Sequence, residues 1–379
     1  MIKVNVCLRE INLINSGMSV YANEIIHRLA PDFNLRGTAS WAGHLRSGYV
    51  HSEYVRFSFP IELARLPDWL LYDYATSAKH RFMRSLVRPF LHGNYNSLAR
   101  DNESDVFVFF SNHVPDFPIK GKVVTCLHDI LLLHAESGEF VAFYRKFLKD
   151  VTDKSTKIIT VSEFSKRDII EYAHIDESRI DVVYNGVNAE EFQQPFDHEV
   201  VRVKYNLPEK YILYFGTCGP RKNVESVIRA YARLAERVRK EYALVITNPL
   251  EAIKACAAEN NVTPCYVDGV SREDKPAVYQ MASVLVWPSL YEGFGLPIIE
   301  AQAAGTPVVC SNVTSLPEVA GDAAVLVDPM DTEAIADAIE RCLYDEPFRR
   351  ELIAKGHENV KRFNWDESAK KFHDIIVNL

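Results

Sequence analysis

Two carboxylates, Glu292 and Glu300, bracket the segment EGFGLPIIE, and the first is followed at once by a Gly-Phe-Gly turn. Upstream, LVWPSLY reads as a short apolar strand closed by Pro288. Downstream, Pro297 suits the first turn of a helix, and IIEAQAAG runs to Gly305 as its stop. A strand, a glycine-bearing loop and a helix in that order aim backbone N–H groups and a helix N-terminus at whatever lies above the strand. That geometry suits a phosphate or diphosphate. Carboxylates on both sides of an anion site suit hydroxyls, and a ligand with hydroxyls on both sides of a diphosphate is a nucleotide sugar. The plainer reading is a structural turn in which Glu300 only favours the positive end of its helix. Short motifs of this kind also arise by accident.

YFGTCGPRKNVESVIRAY is the second element with chemical content. Its strand ends at Gly216, and the following loop presents Arg221 and Lys222 where a helix should begin, with Asn223 as the cap. Two cations beside a helix N-terminus make a diphosphate clamp, able to take the charge that develops on a departing nucleoside diphosphate. A solvated Arg-Lys pair is the alternative. Its position at the carboxyl end of a strand, where open parallel sheets bind ligands, favours the clamp. His128 follows the strand VVTCL and is placed to hydrogen-bond a sugar hydroxyl or orient a diphosphate. Lone histidines are more often structural, and Asp129 beside it makes no dyad, because neighbouring side chains diverge. Ser16 and Gly17, after the first strand, allow close backbone approach to a ligand. GxGxxG is absent, which counts against a nicotinamide dehydrogenase. No Asp-x-Asp suggests a divalent metal, and no GxSxG elbow suggests a hydrolase.

These residues need a scaffold. At 379 residues the chain exceeds one ordinary core, so two domains are expected. Apolar runs KVNVCL, DVFVFF, KVVTCLH, KIITVS and IDVVYNG alternate with loops and helices, the first helix starting near Val20. After a polar, proline-bearing stretch at 191–208, read as a linker, a second series begins. It runs YILYFG, a helix from Val224 to Arg239, YALVIT, PCYVDG, VLVWPS, PVVCSN and AAVLVDP. The pattern is that of α/β domains with parallel sheets. The expected division is a Rossmann-like domain at 1–190, a second at 209–360 across a cleft, and a closing helix at 361–379 that packs back on the first.

A formal charge of -8 argues against a dedicated nucleic-acid partner. Seven scattered cysteines without CxxC read as small core residues in a reducing compartment. The N-terminus meets charge too early for a signal peptide, and no apolar run is long enough to span a bilayer, so the expected location is cytoplasmic. Residues 76–100 carry Lys79, Arg81, Arg84, Arg88 and Arg100 without an acid, beside apolar residues at helical spacing. That segment suits peripheral contact with the anionic inner membrane, or equally a core-packed helix with a solvated basic face.

Taken together the chain resembles the family-4 retaining glycosyltransferases of GT-B fold. GTCGPRKN, VDGVSREDKPAVYQMASVLVWPSLYEGFGLPIIEAQAAGTPVV and SLPEVAGDAAVLVDP carry the resemblance in the second half, TVSEFSKRDI and VVYNGVN in the first. It implies an acceptor-binding first domain and a nucleotide-sugar-binding second domain. On that pattern Arg221 and Lys222 bind the donor diphosphate and Glu292 contacts the donor sugar. The amides of Gly293, Phe294, Gly295 and Leu296 line sugar and phosphate, and Glu300 takes the ribose hydroxyls. His128 stands near the sugar, Val270 flanks the base, and Gly17 and Gly216 belong to the donor-binding set. No metal or other cofactor is expected.

The usual Gly-Gly of the first loop is Ser16-Gly17 here, Gly219 stands where an acid is frequent, and Lys275 replaces a customary leucine. These departures are read as lying outside the catalytic set. The PRKN clamp and the HD pair look most like bacterial enzymes that use GDP-mannose in polysaccharide or O-antigen assembly. Donors with UDP-linked glucose, galactose or N-acetylhexosamine remain open. The implied reaction is transfer of a hexose to a glycan or polyprenyl-diphosphate-linked glycan with an α-linkage. An epimerase or phosphorylase on the same fold, or a non-catalytic nucleotide-sugar-binding subunit, are the rival readings.

Overall fold

The structure, a computed structural model, describes residues 2–8, 17–39, 56–57, 103–110, 114, 118–134 and 139–379. Ser16 and the basic segment 76–100 lie outside the described residues. The chain divides into two compact units. One comprises Met1–Val161, Lys166–Val183 and Asp366–Leu379; the other comprises Ser162–Ser165 and Tyr184–Trp365.

The sheet of the first unit contains β1 (Lys3–Leu8), β2 (Asn34–Ala39), β3 (Arg56–Phe57), β4 (Val106–Phe109), β5 (Lys122–Cys126), β6 (Lys157–Thr160) and β7 (Ile180–Val182). Its order is β3-β2-β1-β4-β5-β6-β7, and every pairing is parallel. The second unit contains β8 (Tyr211–Tyr214), β9 (Ala243–Thr247), β10 (Cys265–Val267), β11 (Val284–Trp287), β12 (Val308–Ser311) and β13 (Val325–Val327). Its order is β10-β9-β8-β11-β12-β13, again wholly parallel. In each sheet the chain builds outward from a central strand, then returns to build on its other side. The crossover in strand order falls between β1 and β4 in one unit and between β8 and β11 in the other, the place where such sheets bind ligands.

The central strands are short uninterrupted apolar runs because parallel strands are covered on both faces. YILY, VLVW and VVCS are buried at every position. β2 and β3 escape that signal. NLRGTA has no apolar run, and its strand is defined by pairing along the whole of β1, from Lys3↔Asn34 to Leu8↔Ala39.

Three helical expectations change. The first helix spans Gly17–Leu29, so Gly17 opens it instead of preceding it in a loop. The single helix expected from Val224 to Arg239 is two, Val224–Arg233 and Glu236–Glu241, because Leu234 and Ala235 are extended and Leu234 turns into the core. The stretch 191–208 is no open linker. It carries most of the helix Ala189–Gln193 and all of His198–Tyr205, and lies within the second unit. Asp197 caps the latter by accepting from Val200 N at 3.2 Å, and left-handed Asn206 ends it.

Part of the closing helix Trp365–Val377 completes the first unit. Phe372, wholly buried, stacks on Phe110 with ring centroids 5.6 Å apart, and Arg28 Nε donates to Asp366 at 2.5 Å.

Candidate active site

The loop after β8 ends in a single turn, Pro220–Lys222, and Asn223 follows in the left-handed region with φ 55°. Its side chain does not cap the next helix N-terminus as expected. It donates across to Pro288 O at 3.0 Å and Pro329 O at 2.8 Å, tying the β8 loop to the end of β11 and to the residues after β13. Leu290 N donates to Arg221 O at 2.8 Å, a second tie between the two loops. With the loops joined, Arg221 and Lys222 meet the acid of the β11 loop.

Arg221 Nη1 donates to Glu292 Oε2 at 2.7 Å and to Tyr291 O at 2.9 Å. Lys222 Nζ donates to Glu292 Oε1 at 2.5 Å, and Ser289 Oγ donates to the same oxygen at 2.8 Å. Lys222 Nζ also lies 4.6 Å from the Trp287 ring centroid, a cation–π contact at the end of β11. Glu292 is 6% exposed. Burial by itself would raise its carboxyl pKa; the Lys222 and Arg221 charges and their hydrogen bonds outweigh burial and hold it below the ordinary carboxylate range. The cluster is a buried carboxylate fixing two cations at the strand-order crossover of the second sheet.

Glycines at this edge answer to space. Gly216, at φ 155°, would put a Cβ 2.8 Å from Trp287, which stacks on Tyr214. Gly295, at φ 108°, would put one 2.6 Å from Leu316. It stands immediately before the helix Leu296–Ala303, whose first turn carries Pro297. Ser315 Oγ lies 2.8 Å from Glu292 O and 2.9 Å from Phe294 O, where it can donate to either carbonyl. Ser162 Oγ and Ser165 Oγ lie 2.7 and 3.2 Å from Gly293 O. Glu318 accepts from Glu163 N and Phe164 N at 2.8 and 2.9 Å, anchoring that serine segment.

Glu300 lies on the helix Leu296–Ala303 and is 8% exposed. Lys275 Nζ donates to its Oε1 at 2.5 Å and Tyr279 OH to its Oε2 at 3.0 Å. Lys275, read as lying outside the catalytic set, is an ion-pair partner of one of the donor-binding candidates. Val270, half-buried, follows β10, and Lys275 N donates to Ser271 O at 3.0 Å, which joins that loop to the helix Lys275–Gln280.

Gly17 and His128 belong to the first unit. Tyr21, on the helix that Gly17 opens, meets the His128 ring edge-on at 5.0 Å. His128 Nε2 is buried and has no hydrogen-bond partner, and burial lowers the ring pKa to about 4. A neutral imidazole with an unspent ring nitrogen accepts or donates a hydrogen bond but carries no charge at neutral pH. Among the described residues no group of three or more His, Cys, Asp or Glu side chains could hold a metal ion.

Residues 197–359 match the model of glycosyl transferases group 1, and residues 81–191 match that of glycosyltransferase family 4. The O-antigen chain mannosyltransferase B of Escherichia coli is 35% identical over 270 residues, which cover 67% of this chain and 70% of that protein. The chain belongs to the family-4 glycosyltransferases. The serotype-specific mannosyltransferase WbdA of the same organism is 31% identical over 289 residues, 70% of this glycosyltransferase but only 35% of WbdA. Anabaena Alr3699/HepE, solved in complex with UDP and glucose, superposes with a TM-score of 0.76 at 14% identity over 100% of both chains. The two parallel-sheet units are accordingly the GT-B fold. No helix among the described residues is long and apolar enough to cross a membrane.

Ser162, Ser165, Ser289, Ser315, Glu318 and Thr314, whose Oγ1 accepts from Glu292 N at 3.3 Å, shape the Glu292 loop without having been singled out as site residues. TVSEFSKRDI and SLPEVAGDAAVLVDP contain four of them and stood out only as family pattern. Serines that bond backbone carbonyls leave no spacing signature; their role shows only when distant segments meet.

Proposed function

We propose that this glycosyltransferase moves mannose from GDP-mannose to a hydroxyl of a glycan or lipid-linked glycan, retaining the anomeric configuration and forming an α-linkage. The observation that carries the reading is the convergence of Arg221, Lys222 and Glu292 at the crossover of the second sheet. Two cations against one carboxylate leave positive charge for a donor diphosphate. The bond from the anomeric carbon to the phosphate oxygen breaks as the acceptor oxygen bonds the same carbon, and the acceptor proton passes to the departing phosphate. Arg221 and Lys222 stabilise the leaving group, Glu292 keeps the pair aligned beside the sugar, and backbone amides from Gly293 to Leu296 face the anion. Gly216 and Gly17 admit close backbone approach, Val270 flanks the base, and His128 serves as a neutral hydrogen-bonding group to the sugar. The cations supply the charge stabilisation, and the reaction is proposed to need no metal.

The likeness to O-antigen chain mannosyltransferase B supports mannose. A UDP-linked hexose is the second reading, favoured by the UDP in the HepE structure. Thermal shift with GDP-mannose and UDP-glucose, followed by a transfer assay in EDTA, tests both. Stabilisation and turnover with UDP-glucose alone would replace the GDP-mannose reading, and loss of turnover in EDTA that Mg²⁺ restores would overturn metal independence. An acceptor on polyprenyl diphosphate, with the basic 76–100 sequence resting on an anionic inner membrane face, fits the charge of that segment. Failure to co-sediment with anionic vesicles at low salt would remove this membrane contact.

A further inference from the structure

Trp287, the last residue of β11, is 1% exposed and stacks on Tyr214 with ring centroids 5.1 Å apart and planes 15° from parallel. Tyr214 is wholly buried and donates through its hydroxyl to Thr217 O at 2.7 Å, so the indole rests on a fixed partner. The Gly216 backbone passes close by: a Cβ there would stand 2.8 Å from Trp287 Cη2. Strand, tyrosine and glycine together hold the indole in one place. Lys222 Nζ lies 4.6 Å from the centroid of that ring.

Packing alone does not account for a tryptophan at this position. Its Nε1 is buried and meets no hydrogen-bond acceptor among the described residues, a cost that phenylalanine in the same place would avoid. What indole offers beyond phenylalanine is a stronger negative face, the best of the aromatic rings for holding a cation. Lys222 has a flexible four-carbon stem, and its ammonium is held by both the Glu292 carboxylate and the Trp287 ring. Two anchors fix a position where one fixes only a distance. The ring also differs from a second carboxylate, because it attracts the ammonium without cancelling its charge. That charge stays available to an anion.

We infer that Trp287 is a positioning residue for the reaction: its ring face sets the Lys222 ammonium where the donor diphosphate binds. The inference rests on the diphosphate clamp proposed above. A tryptophan that only fills space would, when replaced, weaken nucleoside mono- and diphosphates alike, whether or not Lys222 is present. A positioning role acts through the lysine, so it changes the preference for diphosphate over monophosphate and disappears once the lysine is gone.

Calorimetric titration of the full chain with GDP, GMP, UDP and UMP tests it. Lys222→Met should lower the wild-type preference for diphosphate over monophosphate about tenfold. Trp287→Leu should lower it by a similar factor with the lysine still present, and Trp287→Phe by only about threefold, the weaker ring face returning part of the loss. In the Lys222→Met background, Trp287→Leu should change the preference less than about twofold, because no ammonium remains to position. An unchanged preference in Trp287→Leu, equal losses in the Leu and Phe variants, or the same loss with and without Lys222 overturns the inference and leaves the clamp standing. An unchanged preference in Lys222→Met, or a wild-type chain that binds none of the four ligands, brings down the clamp and the inference with it. Should Trp287→Leu fail to fold, Trp287→Phe carries the cycle alone: a loss that vanishes in the Lys222→Met background supports the inference, and an unchanged preference overturns it.

Discussion

Arg221 and Lys222 are both held by the buried Glu292 carboxylate, Arg221 also by Tyr291 O and Lys222 also against the Trp287 ring. Fixing both on a buried carboxylate removes the reorganisation that long side chains otherwise undergo as charge develops on a leaving group. Arg221→Ala should therefore lower kcat/KM about a hundredfold, roughly 3 kcal/mol, measured as nucleotide release with saturating acceptor. Near-normal turnover would remove Arg221 from the proposed chemistry. His128 makes a different prediction. Burial holds its folded pKa at about 4, below the ordinary value of 6.5. The unfolded chain then takes up a proton that the folded chain refuses. Stability from this group is fully present above about pH 6.5, falls as pH drops towards 4, and levels off below that. The full span is roughly 3 kcal/mol. Urea unfolding at pH 7 and pH 5 should show a smaller acid-side loss in His128→Phe, which keeps a ring against Tyr21 without a titrating group; an equal loss would place the sensitivity elsewhere. The acid pair and the cation pair were legible in the sequence because charged residues beside glycine and proline punctuation stand out. The pairing of both cations with Glu292 was not, since it brings together two loops that lie far apart in the chain and are tied by Asn223.

At the scale of elements, the loop between β11 and its helix is held by a backbone that only glycine adopts freely. Gly295→Ala sets a Cβ against Leu316 at a residue with φ 108°, so the loop must move. A cost of about 1–3 kcal/mol is expected, read as a lower melting temperature together with reduced nucleotide affinity. An alanine variant with unchanged melting and binding would show that this conformation is dispensable. The buried strands were readable because covered parallel strands have no polar face to interrupt them. β2 was not, since its residues are strand only through pairing with β1. The break after Arg233 was also hidden: Leu234 is a good helix former, and it leaves the helix to enter the core, a tertiary preference that outweighs local propensity. The helix His198–Tyr205 carried its signals openly in Asp197 and Asn206, but its surrounding polar, proline-bearing composition suggested a linker.

Taken as a whole, the molecule is two parallel sheets of matching strand order, and the alternation of apolar runs announced both. The membership of Asp366–Leu379 in the first unit is a matter of long-range packing. Phe372 is wholly buried against Phe110, so Phe372→Ala should destabilise the first unit by about 3–5 kcal/mol. Denaturant unfolding should resolve that loss, while nucleotide still protects the second unit from proteolysis. A variant with wild-type unfolding would show the closing helix to be an appendage.

The first unit is assembled from three separate stretches of chain, and its last stretch follows residue 365. During synthesis, therefore, the part translated first must wait beside the ribosome without Phe372 over Phe110, whereas the second unit has all its residues earlier. The half begun first is the half finished last.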